Sequence, residues 1–209
     1  MDKLKTFSRN KSKEYIEVYI SFTKEAVLNI TDKFFSTNFN NICCIIKLNP
    51  MDNQHKTLVS ELTKLLLGGS AHASFQEAIK GLNPKLRGVK PDGMPYSIWQ
   101  LVDHIRIAQW DMLQFSKDAD HKSPEWPDEY WPKESEPADD EAWKGSIEQI
   151  DSDLDEFIEL LEHSDIYQPL EHGEGQSILR EALQLADHNS YHIGEIVAIR
   201  RVLGDWKSS

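Results

Sequence analysis

Residues 185–206 read LADHNSYHIGEIVAIRRVLGDW, and this stretch decides the fold. Its apolar residues recur at helical spacing, at Leu185, Ile196, Ile199 and Leu203. This pattern predicts an amphipathic helix in which His188 and His192 project from one face, one turn apart. Two imidazoles at this spacing can bind a single first-row divalent cation. The alternative is a pair of buried, hydrogen-bonded histidines, so a metal site requires a third ligand from elsewhere.

The size and charge of the chain exclude several classes of function. Its 209 residues suffice for one domain with a sizeable core. A formal net charge of -12 argues against binding to nucleic acids or anionic membranes, which select basic surfaces. No apolar run approaches the length of a membrane span.

The first fifty residues differ in composition from the rest. They contain eight Lys/Arg and five Asp/Glu, a balance of +3, which leaves -15 for the remainder. Asn49-Pro50 then interrupts the chain, and Met51 follows directly. Our hypothesis is that residues 1–50 are an upstream extension or a poorly packed appendage outside the native fold. Residues 51–209 would then form the domain.

The two cysteines give no disulfide framework. Cys43 and Cys44 are adjacent, and neighbouring residues rarely have the geometry of a disulfide bond. The segment also lacks the apolar core of a signal peptide. We therefore expect a protein of the reducing cytoplasm.

The hydrophobic pattern after residue 50 predicts four helices. The first carries an apolar stripe from Leu58 to Leu82, continues with a kink past Gly68-Gly69, and ends at Asn83-Pro84. Ser97 is the predicted N-cap of the second helix.

The third and fourth predicted helices follow a long connector. The third spans residues 143–161; the fourth has Ser177 as its predicted N-cap and ends near Gly204. The connector, residues 117–140, carries four prolines, Trp126 and Trp131. We expect the two tryptophans to pin it over the core, with ligand stacking as the alternative. The predicted fold is an all-α four-helix bundle, with a long crossover loop that allows helices two and three to run parallel.

A third histidine lies on the inward face of the second helix. His104 shares that face with Leu101 and Ala108, and a bundle builds its sites from facing helices. Burying three imidazoles without partners would cost free energy, so His104, His188 and His192 together favour a metal site. Of the other histidines, His72 is expected to pack on the core side of the first helix, and His121 gives no signal.

The neighbouring carboxylates are weaker candidates. Asp103 and Asp187 each adjoin one of these histidines, and we interpret both as solvent-exposed or capping residues.

Three motifs together resemble the DinB-like superfamily. They are SIWQLVDHI at residues 97–105, the Trp-Pro pairs at 126–127 and 131–132, and DHNSYHIGE at 187–195. The resemblance covers the chain from about residue 51 to residue 206. It implies an up-down-down-up four-helix bundle with a histidine triad for a divalent metal, commonly zinc or nickel. The triad falls on His104, His188 and His192.

The resemblance also implies a range of activities. Relatives are often homodimers acting on small molecules, and some are thiol-dependent S-transferases that use bacillithiol, mycothiol or glutathione. Several continue from the last histidine as Arg-Gly-Gln, whereas this chain has Ile193-Gly194-Glu195. The missing arginine removes a donor for an anionic thiol. Glu195 could bind the metal or act as a base, with an orienting or surface role as the alternative.

Two functional hypotheses follow. The first is a metal-dependent transferase or hydrolase, in which three neutral imidazoles leave a coordination position open for a thiol or water. The second is a non-catalytic metal-binding, stress-associated bundle, or a protein-interaction module.

Overall fold

The regular secondary structure of the described residues is helical. The computed structural model describes residues 50–69 and 71–206. In chain order the helices of these residues are α1 (Pro50–Leu66), α2 (Phe75–Ile79), α3 (Ile98–Lys117), α4 (Asp140–His163) and α5 (Ile178–Val202), with a 3-10 helix at Pro84–Leu86. The prediction of an all-α bundle is confirmed, whereas its up-down-down-up order stays a prediction. Residues 1–49 lie outside the described residues, so the predicted extension and the domain boundary also stay predictions.

The first predicted helix is wrong as a single element. Gly68 and Gly69 have φ values of +108° and +59°, a left-handed region that ends an α-helix. A new helix then begins at Ser74, whose hydroxyl accepts from the backbone N–H of Glu77 while the Glu77 carboxylate accepts from the backbone N–H of Ser74. Two elements, α1 and α2, therefore replace one kinked helix.

The predicted N-caps of the two helices that carry the candidate ligands are confirmed. At α3 the Ser97 hydroxyl accepts from the backbone N–H of Gln100, and the Gln100 side chain accepts from the backbone N–H of Ser97. At α5 the Ser177 hydroxyl accepts from the backbone N–H of Arg180. Gly204, with φ at +69°, follows the end of α5 as predicted.

Helices α3 and α4 run parallel, as the long connector allows. Near their starts, the rings of Trp99 and Trp143 lie 6.3 Å apart. Near their ends, Lys117 forms an ion pair with Glu156. Residues 118–139, which connect the end of α3 to the start of α4, must therefore run back along the length of the bundle.

The core consists of two apolar clusters. The first gathers α2, the start of α3 and the later part of α5 around Ile98, Leu101, Ile105, Ile196 and Ile199. The second joins α1 to the later parts of α3 and α4 and the start of α5, through Leu62, Leu113, Phe157, Leu161 and Leu185. On α5 the two histidines occupy the stretch between the residues that enter each cluster. Within the described chain, no helix has both the length and the hydropathy to cross a membrane.

Candidate metal centre

Three histidine side chains from α3 and α5 converge inside the bundle. His104 is 1% exposed and His192 is 7% exposed, and His188 is half-buried. One nitrogen from each ring lies within 4.8 Å of the other two. The predicted convergence of His104 with the pair on α5 is therefore confirmed.

The three imidazoles are neutral at neutral pH. Burial lowers the pKa of His104 and of His192 to about 4 each, and it also lowers the pKa of His188. Repulsion from a neighbouring ring acts in the same direction at His104 and His192. A neutral imidazole is the form that binds a metal ion.

The Nδ1 atoms of His104 and His192 point away from the centre of the triad, and each lies against a hydrogen-bond acceptor. We call Nδ1 the outer nitrogen and Nε2 the inner nitrogen of each ring. Nδ1 of His104 lies 2.8 Å from the backbone carbonyl of Tyr130. Because a carbonyl can only accept, the proton of this ring is on Nδ1 and the lone pair is on Nε2. Nδ1 of His192 lies 2.8 Å from a carboxylate oxygen of Glu195, which places its lone pair on Nε2 in the same way.

The outer nitrogen of His188 is fixed through two amides. The backbone carbonyl of Ile150 accepts from the Gln109 side-chain amide at 2.5 Å, so the Gln109 oxygen faces Asn189 and accepts from its amide at 2.9 Å. The oxygen of Asn189 then faces Nδ1 of His188 at 3.2 Å. Since each amide has one orientation that satisfies its neighbour, His188 also carries its proton on Nδ1.

The inner nitrogens consequently face each other without a proton between them. Nε2 of His104 and Nε2 of His188 are 3.0 Å apart, and the assigned tautomers place a lone pair on both. Two nitrogens bound to one zinc ion at 2.0–2.1 Å with tetrahedral geometry are about 3.3 Å apart. A divalent cation between these two nitrogens would therefore accept both lone pairs.

An aromatic stack covers His104. The Trp131 ring lies parallel to the His104 ring, with centroids 3.7 Å apart, and Tyr96 stacks on the far side of Trp131 at 3.8 Å. Trp131 also packs against the first apolar cluster, so it pins the connector as expected. Trp126, in contrast, is 70% exposed, so the expectation is wrong for that residue.

Glu195 lies beside the site rather than inside the triad. Its carboxylate contacts the outer nitrogen of His192, the position of a partner that orients a ligand and increases its basicity. Burial raises the pKa of this carboxyl. The catalytic role considered for Glu195 stays a prediction.

Other polar residues differ from their predicted roles. Asp103 is buried, pairs with Arg106 at 2.6 Å and accepts from Ser146 at 2.9 Å, so its assignment as a solvent-exposed or capping residue is wrong. Asp187 is exposed, as expected. His72 is exposed, because it lies in the turn that replaces the predicted helix.

Several partners of the triad were not predicted from the sequence. Asn189 adjoins His188 within the closing motif, and an amide at that position was a usable signal. Gln109 gives no such signal in the sequence, because its orientation depends on a backbone carbonyl of α4. The carbonyl of Tyr130 leaves no trace in the sequence, since every residue type carries that group.

Comparison with known protein families identifies the part of the chain that contains the triad. A family model described as the DinB superfamily matches residues 70–196, which is more than half of the chain and includes all three histidines. No curated protein and no solved structure matches the chain. From the extent of the family match, the chain belongs to the DinB superfamily.

Proposed function

We propose that this protein is a metal-dependent enzyme that holds one divalent ion between His104, His188 and His192. The observation that carries the proposal is that Nε2 of His104 and Nε2 of His188 lie 3.0 Å apart. Hydrogen-bond acceptors hold the proton of each of these rings on Nδ1. Such an arrangement is unfavourable without a cation and favourable with one.

The chemistry of the donor set favours catalysis. Three neutral imidazoles leave an open coordination position, which is typical of catalytic sites, whereas structural sites have four protein ligands. A bound ion would lower the pKa of water or of a thiol enough to give a nucleophile at neutral pH. The residues of the chain orient the three ligands, and the Glu195 carboxylate offsets part of the positive charge.

We further propose water as the activated nucleophile in preference to an anionic thiol. The residue after the last histidine is Ile193, whereas several relatives have an arginine there. The loss of this cationic donor weakens the case for a negatively charged thiol cofactor. Hydrolysis of a small molecule is therefore the preferred reaction class, and thiol transfer is the second.

Zinc and nickel are the proposed metals, since both accept imidazole ligands. The proposal also includes a homodimer in the cytoplasm, in line with the resemblance noted above. Light scattering of the purified protein tests the dimer, and a single mass of about 24 kDa would contradict it.

Metal stoichiometry tests the proposed site. After removal of bound metal with a chelator and dialysis against zinc or nickel, we expect about one ion per chain by elemental analysis. His188→Ala should lose stoichiometric binding because it removes one of three ligands. The matched control is His72→Ala, which removes an exposed histidine outside the triad. Full metal occupancy in the His188→Ala protein would show that the ligands are wrong.

A cobalt-substituted sample tests for the open position. Titration with azide or with a small thiol should change the visible spectrum of the cobalt ion if a ligand can enter its coordination shell. An unchanged spectrum with the signature of four protein ligands would instead favour the non-catalytic metal-binding protein.

A further inference from the structure

The connector between α3 and α4 touches the metal centre through two consecutive residues. The backbone carbonyl of Tyr130 accepts from Nδ1 of His104 at 2.8 Å. The ring of Trp131 lies parallel to His104, with an interplanar angle of 3°. One contact fixes the direction of the imidazole within its plane, and the other fixes the plane itself. His104 therefore depends on where this loop lies.

A buried aspartate anchors the loop at this point. Asp111 is 8% exposed and lies on α3, seven residues after His104 and so on the same face of the helix. One of its carboxylate oxygens accepts from the Tyr130 hydroxyl at 2.6 Å. The other lies 2.8 Å from Nε2 of His121, which tethers the loop shortly after α3 ends.

Both oxygens of Asp111 thus hold the same loop to α3. A buried carboxylate costs free energy unless its oxygens are hydrogen-bonded, and here both of them are. The bond from Tyr130 is of the strong, charge-assisted type. The side-chain hydrogen bonds of Asp111 and His121 go to each other and to Tyr130 and not to the triad, so the proposed metal site does not by itself explain them.

We propose that Tyr130 and Asp111 are positioning residues for His104. Asp111 fixes the Tyr130 side chain, this fixes the backbone carbonyl of the same residue, and the carbonyl holds His104 with its proton on Nδ1 and its lone pair toward the ion. This inference rests on the proposed metal function and adds to it the residues that orient one ligand. Partners of this kind typically change metal affinity by about 10-fold to 100-fold.

Tyr130→Phe is the decisive variant because it removes one oxygen atom. Competition with a chromophoric chelator should show zinc binding weakened by about 10-fold, and the visible spectrum of the cobalt-loaded variant should shift. Asp111→Ala should weaken zinc binding further, because it releases both tethers of the loop. Tyr167→Phe is the matched chemical control, since Tyr167 is half exposed and contacts His55. The zinc affinity and the cobalt spectrum of Tyr167→Phe should match those of the unsubstituted protein.

Two further comparisons separate positioning from general loss of stability. Asp139→Ala removes the N-cap of α4, a helix without triad residues, and should lower the melting temperature without changing zinc affinity. In a His104→Ala background the two remaining imidazoles should bind zinc only weakly, and at zinc concentrations high enough to measure this residual affinity Tyr130→Phe should have no further effect, because its target ring is gone.

The outcomes that overturn the inference are distinct from those that overturn the metal site. Unchanged zinc affinity in Tyr130→Phe, or an equal loss of affinity with and without His104, shows that the tyrosine does not act through this histidine. In both cases the triad itself would still bind zinc. An original chain that takes up no metal overturns the proposed function and this inference together.

Discussion

The polar residues buried on α3 and α4 include Gln109, Asp111 and Asp153. Gln109 and Asp111 have hydrogen-bond partners on both of their terminal atoms. Asp153 differs, because one oxygen accepts from Gln149 at 2.6 Å and the other, Oδ2, has no partner in the described structure. A buried carboxylate oxygen without a partner lowers the stability of the fold.

Asp153→Asn should therefore stabilise the protein at neutral pH. The substitution keeps the shape of the side chain and puts an amide nitrogen in the place of the unpartnered oxygen, so the expected gain of about 1 kcal/mol comes from the loss of the buried charge. For a chain of this length that corresponds to a rise of about 2–4 °C in melting temperature. Thermal unfolding at pH 7 measures the gain. Asp155→Asn, the same change at an exposed position of the same helix, should give almost none.

The direction of the pKa shift of Asp153 determines how the stability of the protein changes with pH. Burial raises the pKa of Asp153 above its ordinary value, so the folded state favours the protonated form. The free energy of unfolding consequently falls as pH rises from about 4, the unfolded pKa, through the folded pKa. The advantage of Asp153→Asn should be full at pH 7 and absent near pH 3. A gain that is independent of pH would show that charge is not its cause.

At the scale of elements, the division between α1 and α2 depends on a close backbone approach. A Cβ atom at Gly68 would lie 2.6 Å from Cβ and 2.9 Å from Cα of Ser74, the residue that caps α2. At Gly69 the backbone is also left-handed, but a Cβ atom there would meet no atom within 4 Å. The two glycines thus share a conformation and differ in the space around them.

Gly68→Ala should destabilise the protein more than Gly69→Ala. The left-handed backbone alone costs a residue with a side chain about 1–2 kcal/mol, and at position 68 the contact with Ser74 adds to this cost. Denaturant unfolding of both variants measures the difference. Equal losses of stability would show that Ser74 can move away from the added Cβ atom without a cost in free energy.

At the scale of the whole molecule, the triad connects two helices that also join the apolar clusters. A ligand that binds only the folded state raises the free energy of unfolding by mass action. An ion bound by α3 and α5 together would therefore stabilise the bundle as a unit and not one helix alone.

Zinc at a free concentration 100 times its dissociation constant should stabilise the protein by about 2.7 kcal/mol. This corresponds to a rise of about 5–10 °C in melting temperature. Scanning calorimetry with zinc and with a chelator measures the shift, which should vanish in His188→Ala and persist in His72→Ala. The same shift in both variants would place the zinc outside the triad.

The sequence alone was sufficient to predict the helical class, the starts of α3 and α5 and the three candidate ligands. Hydrophobic spacing, serine caps and a two-histidine turn are local patterns, and each can be recognised within one or two helical turns. The split of the first helix was missed although its glycines were visible, because a kink and a helix end have the same local signal. Only the backbone angles at Gly68 and Gly69 distinguish them.

The tertiary structure decided what surrounds the triad. Asp111 and His121 meet through a loop, Gln109 depends on a carbonyl of another helix, and Tyr130 contributes a backbone atom to His104. None of these contacts follows from residue type or spacing. The side chains and carbonyls involved are brought together only when the connector folds back along the parallel pair of α3 and α4. The ligands of the candidate site are thus encoded locally, whereas the orientation of their nitrogen atoms is a property of the assembled bundle.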